Sequence, residues 1–184
     1  MKKYFWLLVP LFLFSCYRDV DNVEEVRELY GSIRSELQFI YSKKLVPDQK
    51  ISARHGDEKN EYEITYGLPK TSSWPVFTVM GKDEETLREA LGKLDSTMNK
   101  NVENMLVRMV RIVRRENLCA IDYIINGKDY YEIEVSIDGL TQQLLYTDDE
   151  FLKHATYSGK QGYFKLDSMA VFSGVISAEG LPEK

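Results

Sequence analysis

The sequence predicts an α+β domain. A mostly antiparallel sheet, a meander in its C-terminal half, should carry the apolar stripes of two or three amphipathic helices packed on one face. Three observations predict it. Apolar residues recur at steps of three and four over residues 23–40 and again over 83–115. They alternate at period two over 61–68 and over 121–137. Asn126-Gly127 stands between two alternating runs, a strong hairpin signal because both residues tolerate the positive φ of a type I′ turn.

Taken in order, Asn22 opens the first helix with Glu25 at capping-box spacing. Val26, Tyr30, Ile33, Leu37 and Ile40 form its apolar stripe, and Pro47 closes the segment. The charged stretch 55–60 reads as a solvent-exposed loop. Tyr62, Ile64, Tyr66 and Leu68 alternate with polar residues as a half-buried strand, and Val76 to Met80 make a second.

Asp83 caps the next helix, whose stripe is Leu87, Leu91, Leu94 and Met98. The pattern resumes at Val102, Met105, Leu106, Met109, Ile112 and Val113. Asn99 and Asn101 fit a break between two helices, and one long helix with a register stutter fits as well. At about 100° per residue, Arg108, Arg111, Arg114 and Arg115 fall opposite the apolar arc.

Ile121, Tyr123 and Ile125 lead up to the Asn126-Gly127 turn, and Tyr131, Ile133, Val135 and Ile137 lead away from it. Asp138-Gly139 turns the chain into a strand over 140–146. Residues 148–156 read as a short helix or turn, 163–166 and 169–176 as the last strands, and 177–184 as a loose tail.

The N-terminus carries a different grammar. Lys2 and Lys3 precede an apolar run from Phe5 to Phe14, then Ser15 and Cys16. This resembles the lipobox signal of bacterial lipoproteins. The resemblance implies that residues 1–15 are removed, that the Cys16 thiol is diacylated, and that the new amine is usually acylated too. In enterobacterial lipoproteins an aspartate after the cysteine implies inner-membrane retention. Tyr17 stands there, so the resemblance favours the outer membrane and leaves the membrane face undecided. The apolar run is shorter than the ~20 residues that span a bilayer. The expected organisation is a signal over 1–15, a lipidated tether over 16–22, one domain over 23–176 and a tail over 177–184.

Removing residues 1–15 from 184 leaves 169, enough for one core. It also removes Lys2 and Lys3, leaving 22 basic against 29 acidic residues. A chain this acidic is poorly suited to neutralising phosphates, so no nucleic-acid partner is expected. With Cys16 lipidated, Cys119 has no disulfide partner; its neighbours Leu118, Ala120 and Ile121 suggest a small buried hydrophobe.

Catalytic chemistry finds little support. His55 and His154 are the only histidines, so no zinc site and no cofactor are expected. The acidic runs Asp57-Glu58 and Asp148-Asp149-Glu150 lack calcium-loop spacing. No G-x-S-x-G elbow occurs, and Ser158-Gly159-Lys160-Gln161-Gly162 lacks phosphate-loop spacing. The arginine stripe offers a patch for an anionic partner or headgroup, against the plainer reading of a solvated face paired with carboxylates. Trp74, beside Pro75, offers an aromatic anchor, against core packing. The functional expectation is a membrane-anchored, non-catalytic module with a protein partner, in an assembly, inhibitory or immunity role. A carrier or sensor for an apolar or anionic small ligand is the alternative, and a hydrolase using His55 or His154 comes third.

Overall fold

A computed structural model describes residues 18, 20–44, 49–67, 73–126, 130–138, 141–148 and 161–175. The elements are α1 (Val23–Tyr41), β1 (Lys50–His55), β2 (Glu61–Gly67), β3 (Val76–Met80), α2 (Glu84–Leu94), α3 (Lys100–Glu116), β4 (Ala120–Asn126), β5 (Tyr130–Ser136), β6 (Gln143–Thr147), β7 (Gln161–Lys165) and β8 (Ala170–Val175). The strands form one eight-stranded sheet in the order β3-β2-β1-β4-β5-β6-β8-β7, and every neighbouring pair is antiparallel. The helices pack on one face: α2 on β3, α3 on β1, β2 and β4, and α1 on β5, with α3 touching both other helices. The α+β architecture expected from periodicity is the observed one.

The core lies between the layers. Ile33, Leu37 and Ile40 of α1 and Met105, Met109 and Ile112 of α3 are fully buried, as are Ile51, Ile64, Ile121, Tyr123, Ile133 and Phe172 of the sheet. The predicted arc of α3 is therefore its buried side, and Val107 and Val110 widen it. Asn22 and Asp83 cap α1 and α2 as expected. In the first cap the Glu25 carboxylate accepts from the Asp21 amide and the Asn22 side chain, rather than from the Asn22 amide. Two helices, not one, cover residues 84–116: α2 ends at Asp95 and Asn99 caps α3. Asn117 then ends α3 in the left-handed region, φ 54, and its amide and that of Leu118 both donate to the Val113 carbonyl.

Four features differ from the sequence expectation. A strand, β1, lies at 50–55 in the middle of the sheet, between β2 and β4. The hairpin at Asn126 is present but its connection is longer, because Asn126 is still paired, with Tyr130. A two-residue Asn-Gly loop would shift the register and place Tyr131, Ile133 and Val135 on the face opposite Ile121, Tyr123 and Ile125. The observed pairs Ile125 with Tyr131, Tyr123 with Ile133 and Ile121 with Val135 keep all six under the helices. The meander is broken at its end, where β8 rather than β7 pairs with β6. Finally, the chain joins the domain before residue 23. The Arg18 amide donates to the Asn117 carbonyl at 2.6 Å, and Val20 is fully buried. Predicted features at 1–17, 149–160 and 176–184 lie outside the described residues.

Candidate functional site

The sheet face away from the helices carries the polar halves of the strands. Lys50 Nζ lies 3.0 Å from Asp122 Oδ1, an ion pair at 23 % and 10 % side-chain exposure. Glu134 stands in the same region and accepts a hydrogen bond from Gln143 Nε2 at 2.8 Å. Burial, with Asp122 and Glu132 nearby, raises the Glu134 carboxyl above the ordinary range. Trp74 is half-buried at one end of this face. It lines a groove of about 320 Å³ with Lys50, Ser52, Arg54, Glu63, Thr65 and Val76. The indole is partly exposed and forms one wall of this cleft.

That cleft adjoins the sheet edge. β3 is terminal in the sheet, and Val76 and Met80 on it are 60 % and 50 % exposed, the exposed large hydrophobics of the described residues. The Gly81 amide donates to the Asn60 carbonyl at 3.0 Å, which makes Gly81–Asn60 a hydrogen-bonded pair. By antiparallel alternation, Val79 and Phe77 then bond inward to β2, while the amides and carbonyls of Val76, Thr78 and Met80 point to the open edge. No charged residue lies within β3, and among the described residues no strand pairs with its outer side. On the helix side a groove of about 510 Å³ runs between β3 and α2, lined by Thr78, Met80, Thr86, Glu89, Ala90 and Lys93 among others.

The arginines of α3 form an outer seam with α1, which runs antiparallel to it. Ser32 Oγ donates to Glu116, and Arg115 lies 3.0 Å from Glu36 and 2.7 Å from Glu116. Burial alone would raise Glu36, yet hydrogen bonds from Arg115 and Ser35 hold its carboxyl below the ordinary range. Arg111 reaches Glu36 only at 3.9 Å, and its buried Nε has no hydrogen-bond partner. Arg108 stacks on Phe39 of α1, 3.8 Å from the ring centroid. Arg114 departs from the seam and donates to the Lys82 carbonyl at 2.6 Å. The predicted stripe is real, but only Arg108, Arg111 and Arg115 share the seam with α1.

The remaining candidates are dispersed. His55 ends β1, its ring 5.7 Å from that of Tyr62, and burial lowers its pKa. His154 and Cys16 lie outside the described residues. Cys119 is partly exposed rather than buried, because it sits in the turn from α3 into β4. Tyr41, Tyr131 and Tyr146 pack edge to face in the core, so those tyrosines build no surface. Among the described residues no three His, Cys, Asp or Glu side chains converge as metal ligands, and no helix is long and apolar enough to cross a membrane. Sequence reasoning passed over the exposure of Val76 and Met80; the uncharged run Val76-Phe77-Thr78-Val79-Met80 was the available signal. No family model, curated protein or solved structure matches this chain.

Proposed function

We propose that this chain is a lipid-anchored protein of the bacterial envelope, held through Cys16 at the outer membrane, whose domain binds a protein partner without catalysis. Assembly, inhibitory and immunity roles all fit such a module. The observation that carries the reading is the β3 edge: outward backbone groups, two exposed apolar side chains and a groove on either side. An extended partner segment added there gains main-chain hydrogen bonds from Val76, Thr78 and Met80, and the grooves select its side chains. The N-terminal pattern of Lys2, Lys3, the apolar run and Cys16 supports the address.

The test is co-purification of the lipidated protein from detergent-solubilised envelopes. A partner retained by the wild type and lost by the Val76→Lys/Met80→Lys double variant is the expected result. Equal retention by both removes the β3 edge from the account. Replacing His55 and His154 by Ala should leave function intact; loss of function in a folded double variant would favour a hydrolase instead.

A further inference from the structure

At the Phe39 end of the α1–α3 seam, cations outnumber the carboxylates that pair closely with them. The Phe39 ring carries two of them, Arg108 at 3.8 Å and Lys43 Nζ at 4.3 Å from its centroid. Neither has a carboxylate partner among the described residues. A groove of about 190 Å³ opens beside them, lined by Phe39, Arg88, Asn104, Arg108, Arg111 and Glu84 among others. The one carboxylate on its wall, Glu84, lies 2.8 Å from Arg88 and is engaged there. Arg111 also lines the groove; it reaches Glu36 only at 3.9 Å, and its buried Nε has no hydrogen-bond partner. Stacking on the ring offsets part of each cation's lost hydration but supplies no counter-charge. An oxyanion would: guanidinium forks match phosphate oxygens in bidentate geometry.

The position of the groove says which phosphate. Arg18 is pinned to the C-terminal end of α3, through its amide to Asn117 and its guanidinium to Glu116 at 3.0 Å. Cys16 is two residues earlier, a reach of at most about 7 Å of chain. Arg108 lies two helical turns from Glu116, roughly 12 Å along the axis. A lipid attached at Cys16 would hold the Glu116 end of the seam close to the bilayer, and Arg108 follows on the same helix. We propose that the groove beside Phe39 binds the phosphate of an anionic lipid headgroup, with Arg108 and Arg111 as the ligating side chains. This rests on the lipid-anchor reading for the choice of a headgroup, while the oxyanion site stands on the seam alone.

Calorimetric titration of the full-length protein in a neutral detergent tests it. Mixed micelles carrying phosphatidylglycerol should bind at least tenfold more tightly than micelles carrying phosphatidylcholine, and inorganic phosphate should compete at matched ionic strength. Arg108→Gln/Arg111→Gln should weaken binding at least tenfold, Arg114→Gln less than twofold, with thermal midpoints confirming that both variants fold. Inorganic phosphate binding as tightly as the lipid would overturn the headgroup assignment. Binding by neither, or binding untouched by the double variant, would overturn the site. Micelles need no acyl chain on Cys16, so a failure here leaves the anchor standing, and an unacylated Cys16 leaves an oxyanion site standing.

Discussion

Gln142 grips the backbone of Val20 with both ends of its amide. Its Oε1 accepts from the Val20 amide at 3.1 Å and its Nε2 donates to the Val20 carbonyl at 2.7 Å, across 122 residues of sequence. The pair is buried, so it fixes where the chain leaves the domain towards its N-terminus. Gln142→Ala strands a buried donor and a buried acceptor. The expected loss is about 2–3 kcal/mol by urea unfolding, at roughly 1–3 kcal/mol for each unpaired group. A loss under 0.5 kcal/mol would show that the grip is incidental.

Gly81 joins β3 to α2 at a point without room for a side chain. A Cβ there would lie 2.8 Å from the Leu87 Cα, a backbone atom. Gly81→Ala must push the first turns of α2 away from β3, at an expected cost of about 1–3 kcal/mol. Chemical denaturation measures it, and an unchanged midpoint would contradict the packing.

Glu134 carries a pH signature. Its carboxyl is raised in the folded state, first by burial, so the native chain holds a proton that the unfolded chain has released. Stability therefore falls as pH rises from the ordinary carboxylate value, about 4.3, through the raised folded value. Glu134→Gln should stabilise the protein at pH 7 and remove that part of the slope. The check is the difference between the two unfolding free energies from pH 3 to 8; a difference that does not grow with pH would sink the idea.

The Arg115–Glu36 contact should contribute little to stability. Glu36 is 12 % exposed but Arg115 is 42 % exposed, so solvent screens the pair from the Arg115 side, and solvent-screened ion pairs measure roughly 0.2–1 kcal/mol. A double-mutant cycle with Arg115→Gln and Glu36→Gln should give a coupling below about 1 kcal/mol that shrinks in salt. A larger, salt-resistant value would make the seam a structural element.

The helices and most strands were legible in the sequence because each carries its own periodic stripe. β1 was not. Ile51 is the lone bulky aliphatic in Lys50-Ile51-Ser52-Ala53-Arg54-His55, and its strand is held by β2 and β4 on either side, contacts that no local window contains. Asn126-Gly127 announced a hairpin correctly but not its length, because burying Tyr131, Ile133 and Val135 overrode the preferred turn. Strand order is equally non-local, so neither the exposed edge at Val76 and Met80 nor the β8–β7 reversal could be read. The arginine stripe was legible as a wheel pattern. Its partner Phe39 was not, although an aromatic lying off the Val26–Ile40 stripe of α1 was a usable sign.

Acylation of Cys16 is the premise from which headgroup and address both proceed. Expressing the protein in a bacterial host with labelled palmitate and sequencing the mature N-terminus tests it most directly. The account predicts label in the wild type, cleavage before Cys16, and release of a Cys16→Ser form from lipid labelling. An unlabelled wild type, or a mature chain that begins elsewhere, would contradict it.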